Sequence, residues 1–157
     1  MIEKLGFEDF TVKKLANKLK TNESSIYRYF ANKHRLLLYL IDWYWQWIEY
    51  LVMVQTNNIE DANKKIDIIL NILLLRVKDD WAGGFDLDKK TLHQLVIKEG
   101  SKAYLTNHVS ADNKQQLFKS YKDLCARIAG IFLEVNPTYQ YPRSLTSTVL
   151  EMVHHQY

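Results

Sequence analysis

Residues 6–37 read GFEDFTVKKLANKLKTNESSIYRYFANKHRLL, and this stretch decides the fold. Thr11 is a good N-cap, and Val12, Leu15, Ala16 and Leu19 recur behind it at helical spacing. Lys20-Thr21-Asn22 breaks that helix. A second short helix is expected from Glu23 to Phe30, with Ile26 and Phe30 turned inward. Its outer face then offers Glu23, Ser24, Ser25, Arg28 and the Tyr29 phenol. Two short helices joined by a tight turn, the second carrying small hydroxyls and an Arg, suit docking in the major groove of DNA.

These residues closely resemble the N-terminal domain of the TetR family of bacterial transcriptional regulators. The resemblance rests on Gly6-Phe7, Thr11-Val12, Leu15-Ala16, the run Ile26-Tyr27-Arg28-Tyr29-Phe30, Lys33 and Leu36-Leu37, all at the family's spacing. Two positions depart from the pattern: Lys20 and Ser24 stand where the family usually has Gly. Lys20 has to adopt the turn's backbone without glycine's freedom, at a cost of about 1 kcal/mol if its φ is positive. The resemblance implies that Thr11, Tyr27, Tyr29 and Lys33 hold phosphates and that Glu23, Ser24, Ser25 and Arg28 face bases. Lys13, Thr21 and Asn22 complete the implied DNA-binding set. It also implies a full helix ahead of the Gly-aromatic pair, where only Met1–Leu5 precede Gly6.

Composition agrees with a helical protein. Of 157 residues, 47% are hydrophobic and 13% aromatic, with five Gly and two Pro, which favours long helices and argues against an all-β fold. The net charge of +3 is uneven, because residues 1–35 hold eight Lys or Arg against four Asp or Glu. The head is therefore +4 and the remainder −1, an electrostatic footprint suited to a polyanion. The one cysteine, Cys125, excludes an intramolecular disulfide, fits a reducing cytoplasm and reads as a small buried hydrophobe. The apolar run Leu36–Val54 carries Asp42, Gln46 and Glu49, which are costly at a bilayer centre, so a soluble buried helix is expected there.

The expected architecture is all-α: a helix-turn-helix head, residues 1–35, joined by a long helix to a helical body, residues 36–157. Asn32 caps the long helix, which should reach about Val54. The next helix starts near Asp61 and should lie inside the body. Residues 79–88, DDWAGGFDLD, form a loop, and a helix from Lys89 should stop at Gly100. Ser110 can cap a helix running to Val135 with Leu117, Tyr121, Leu124, Ile128, Ile131, Phe132 and Val135 along one side. Ser144 should open the last helix, with Leu145, Val149, Met152 and Val153 as its apolar face.

Aromatic residues concentrate around Trp43, Tyr44, Trp47 and Tyr50. They are either the wall of an effector pocket for a small apolar or aromatic molecule, or plain core packing; the resemblance tilts towards the pocket. Asp42, Gln46 and Glu49 are either its polar anchors or a solvated stripe. No sequence pattern of a phosphate loop, zinc site or nucleophile elbow occurs, so no catalytic residue, metal or cofactor is assigned. His154 and His155 are adjacent and point apart on a helix, and His93 has no acidic partner at a telling spacing.

The resulting expectation is a cytoplasmic, homodimeric regulator, a repressor released from a pseudo-palindromic operator on double-stranded DNA by an effector. The dimer would form through helices 111–135 and 144–157, placing half-sites about 34–36 Å apart. The alternative is a helical binding module that keeps the fold without reading DNA.

Overall fold

Side-chain caps set where five of the described helices begin. The computed structural model describes residues 1–74, 88–104 and 119–155. Their helices are α1 (Ile2–Leu5), α2 (Val12–Lys18), α3 (Glu23–Tyr27) and α4 (Lys33–Thr56). After them come α5 (Ala62–Leu73), α6 (Lys89–Tyr104), α7 (Lys119–Val135) and α8 (Pro142–His155). The described residues contain no strand. Asn32 Oδ1 accepts the Arg35 N–H at 2.9 Å, and Asp61 Oδ1 accepts the Asn63 N–H at 2.9 Å. Asp88 does the same for Thr91 at 3.1 Å and also accepts the Thr91 hydroxyl at 2.6 Å; the hydroxyl bond first, and the backbone bond after it, lower its carboxyl from the ordinary value. Each such cap is worth about 1 kcal/mol.

α4 is the axis of the molecule. Leu37, Leu38, Ile41, Tyr44, Trp45, Ile48, Leu51 and Val52 are buried along it, and it packs against α5, α6 and α7. α7 in turn packs on α5 and α8, and α1 on α6. The remaining polar edge of α4 is hydrogen-bonded at the surface, with Gln46 exposed and Asp42 and Glu49 half-buried. Gln46 donates to Asp42 at 2.7 Å, Ser120 donates to Asp42 at 2.6 Å, and Arg127 donates to Glu49 at 3.1 Å. No helix among the described residues is long and apolar enough to cross a membrane.

Several elements differ from the sequence expectation. α5 is amphipathic rather than internal: Ile69, Ile72 and Leu73 are buried, whereas Leu70 is exposed. α6 runs through Gly100, which is itself buried, so packing overrides the glycine stop signal. α8 begins at Pro142, whose fixed φ suits the first helical position. Its inward residues are Thr146, Leu150 and Val153, with Thr146 Oγ1 satisfied by the Pro142 carbonyl at 2.9 Å. Leu145 and Val149 are only half-buried, and Met152 is exposed. The expected loop 79–88 lies outside the described residues except for Asp88, and so do the Ser110 cap and Leu117.

Among the described residues, two clusters of buried residues form the interior. The smaller joins Val12, Ala16 and Ile26, flanked by Leu15 and Phe30. The larger fills the body and also takes in Ile2, Phe7 and Phe10 from the start of the chain.

Candidate nucleic-acid interface

The helix-turn-helix is built from its caps inward. Thr11 Oγ1 accepts the Lys14 N–H at 3.2 Å and starts α2. α2 ends at Lys18, one residue before Leu19, which is therefore 61% exposed and not part of the apolar face expected for it. Lys20 has φ 53°, the left-handed conformation that glycine adopts without cost. Asn22 then caps α3, its Oδ1 accepting both the Ser25 N–H and the Ser25 hydroxyl at 2.8 Å.

α3 is shorter than expected, ending at Tyr27. The chain tightens there: the Tyr29 N–H bonds the Ile26 carbonyl at 3.0 Å, an i to i+3 contact. Ile26 is buried and Phe30 half-buried, as their spacing requires. The outer surface carries Ser24, Tyr27, Arg28 and Tyr29, all exposed, with Tyr29 at 79%. Thr11, Lys13, Thr21 and Asn22 are exposed beside them, whereas Glu23 and Ser25 are half-buried. An exposed Arg has the fork geometry for guanine, and exposed phenols can donate to phosphate oxygens.

Lys33 stands apart from this surface. Its Nζ donates to the carbonyls of Phe7, Glu8 and Phe10 at 3.0, 3.1 and 3.3 Å. The same ammonium lies 4.7 Å from the Phe7 ring centroid. Lys14 Nζ is likewise turned onto the Asp9 carbonyl at 2.8 Å. On the other side of Phe7, its N–H donates to Glu99 Oε1 at 3.1 Å, from α6. Sequence inspection missed Glu99, because 92 residues separate the partners and no local pattern announces the bond.

In the body, the four aromatic candidates do not share one surface. Tyr44 is fully buried, and its hydroxyl is hydrogen-bonded to His93 Nδ1 at 2.7 Å. Trp47 is buried with the Lys89 ammonium 5.5 Å from its ring centroid, Trp43 is half-buried, and Tyr50 is 38% exposed. Trp45 meets Tyr121 edge to face at 5.0 Å. Burial pushes the Tyr121 phenol up to about 12 and raises the neighbouring Cys125 thiol as well. Cys125 is buried, as its apolar neighbours led us to expect.

A cleft of 360 Å³ opens between α4, α5 and α7, lined by Thr56, Lys65, Ala126, Arg127, Gly130, Ile131 and Glu134. None of Trp43, Tyr44, Trp47 and Tyr50 lines it. Lys65 and Glu134 form an ion pair within it. No group of three metal-ligating side chains occurs among the described residues.

Residues 1–40 match the family model described as bacterial regulatory proteins, tetR family. The fold as a whole is similar to two solved structures. One is AibR in complex with isovaleryl coenzyme A and operator DNA, with a TM-score of 0.71 and 16% identity, over 99% of this chain and 79% of that one. The other is the fatty acid degradation regulator FadR from Bacillus halodurans, with a TM-score of 0.68 and 18% identity, over 98% of this chain and 80% of that one. No curated protein matches the chain.

Proposed function

We propose that this protein is a TetR-family transcriptional repressor whose head, residues 1–35, binds an operator and whose body, residues 36–157, binds the effector that releases it. The observation that carries the reading is the exposed set Ser24, Tyr27, Arg28 and Tyr29 on and just after a capped α3. Thr11, Lys13, Thr21 and Asn22 flank it on the phosphate side, and Glu23 and Ser25 sit at the base-facing edge. Phosphate contacts from the flanks would fix register, and base edges would be read from α3. The experiment is selection of bound sequences from a random duplex library, followed by fluorescence anisotropy on the enriched site. Enrichment of an inverted repeat supports the reading. A library that stays unenriched, with no binding at low salt, favours the alternative of a helical interaction module that no longer reads DNA.

The dimer would form through α7 and α8. Exposed Val135 and Met152, together with half-buried Leu145, leave apolar surface on these helices that the described residues do not cover. A monomeric mass at micromolar concentration in light scattering counts against it, and Met152→Glu should shift a dimer towards monomer.

For the effector, Tyr44 and Trp47 are packed into the core and do not line the cleft, so the reading rests on the fold shared with AibR, which makes acyl thioesters of coenzyme A the first compounds to screen beside small apolar or aromatic molecules. Tenfold displacement of DNA needs about 1.4 kcal/mol of differential affinity between the two states. Isothermal titration with isovaleryl coenzyme A and with a planar aromatic panel, each followed by DNA release, tests this part.

A further inference from the structure

The Lys33 ammonium is surrounded by backbone rather than facing the DNA side. An ammonium has three protons, and three carbonyls, those of Phe7, Glu8 and Phe10, lie within 3.0–3.3 Å of Nζ. The face of the Phe7 ring covers the same charge at 4.7 Å. Every donor is thus directed into the head, and a phosphate contact would require breaking at least one of these bonds. These carbonyls belong to the irregular segment between α1 and α2, where no helix ladder takes them up.

Phe7 is held from its other side too. Glu99, only 5% exposed, takes the Phe7 N–H on Oε1 at 3.1 Å. One peptide unit's carbonyl is therefore gripped from α4 and the adjacent N–H from α6, while the ring is buried in the body's core. His34 packs edge-on against that ring at 6.4 Å. Thr11 follows four residues later and starts α2, so the grip on residues 7–10 sets where the helix-turn-helix begins.

We propose that Lys33 and Glu99 are positioning residues that clamp the Phe7–Phe10 segment from two helices and thereby aim the DNA-reading head, and that Lys33 is not a phosphate contact. The proposal rests on the reading that the head binds DNA, and it reassigns the role that family resemblance gives to Lys33. Because both residues act through Phe7, losing one removes most of what the other contributes, so their effects on affinity do not add.

The test compares wild type, Lys33→Met, Glu99→Leu, Glu99→Gln and the Lys33→Met/Glu99→Leu double variant. Binding to a random-sequence duplex is measured across a salt series, with concentrations referred to titrated active protein so that partial unfolding does not enter. Amide exchange is followed over residues 7–11. Lys33→Met and Glu99→Leu are expected to lose about tenfold in affinity at every salt with an unchanged salt slope, and to exchange faster at residues 7–11. The double variant should cost no more than about either single one, and Glu99→Gln, which keeps the acceptor oxygen, should bind as wild type does. A salt slope shallower by about 0.9 per head in Lys33→Met, with exchange unchanged, would overturn the proposal in favour of a phosphate contact. Normal affinity and exchange in Glu99→Leu would also overturn it. Absence of wild-type binding would instead remove the regulator reading, and the exchange arm would still decide whether the clamp exists.

Discussion

The Tyr44 hydroxyl and the His93 imidazole are joined by a 2.7 Å hydrogen bond between two side chains that are almost completely buried. The bond ties the middle of α4, the helix that leads out of the head, to α6, whose Glu99 also reaches the head. A buried polar pair of this kind is high-stakes, since breaking it leaves a desolvated partner behind.

Tyr44→Phe keeps the ring and its edge-to-face packing on Trp45 and Trp47, and deletes only the hydroxyl. The expected cost is about 1–3 kcal/mol, because His93 Nδ1 loses this partner in the interior. Urea denaturation reads it directly: the midpoint should fall at constant slope. An unchanged midpoint would mean that the bond is not formed in solution.

A second prediction concerns alkali. Burial raises the Cys125 thiol above its ordinary 9.0 and the Tyr121 phenol from 10.0 to about 12. Both groups are neutral when protonated, so between the ordinary and the raised values the native state holds more protons than the unfolded chain. Stability must then fall as pH rises beyond 9 and should be insensitive to these groups below that. Tyr121→Phe should flatten the decline between pH 10 and 12 relative to wild type, by removing one contributor among ten tyrosines. Identical pH profiles of the two proteins would refute the assignment.

The helix-turn-helix was legible because its signals are local. Thr11 and Asn32 each cap the helix that follows within three residues, and the Ile26–Phe30 spacing gives the inward face; Asn22, read only as part of the break, caps α3 as well. Joints between distant elements were not legible. Glu99 meets Phe7, and Tyr44 meets His93 across 49 residues, so no window of sequence contains both partners. Periodicity failed in α5 and α8 for another reason. Their apolar residues outnumber the positions one core can cover, so the sequence pattern alone did not say which side would be buried. Gly100 shows the same limit at a helix end, where a local stop signal was overruled by packing of α6.

Lys20 offers a third prediction that separates local strain from DNA affinity. Its φ of 53° is a conformation in which a Cβ is unfavourable. Lys20→Gly relieves that strain, partly offset by the greater freedom of glycine in the unfolded chain, for a net gain of up to about 1 kcal/mol. Differential scanning calorimetry should show a higher melting temperature. Loss of stability would indicate that the lysine side chain makes a compensating contact.

The last prediction concerns how the proposed reading face distinguishes bases. Arg28 is exposed just past the end of α3 and carries donors only, so a guanine with its O6 and N7 acceptors is the natural partner. Ser25 is more constrained. Its hydroxyl proton is already directed to Asn22 Oδ1 at 2.8 Å, so towards the groove it can present only lone pairs. It would therefore accept from the exocyclic amine of cytosine or adenine. Arg28→Ala should lower discrimination at one base pair by about 1–3 kcal/mol, and Ser25→Ala should relax preference at a different pair. Asn22→Ala should free the Ser25 proton and allow guanine or thymine oxygens at that second position, while also costing the α3 cap. Anisotropy titrations against single-position variants of the selected duplex measure all three. A uniform drop across every duplex for Arg28→Ala would make Arg28 a phosphate contact and move base reading elsewhere on α3.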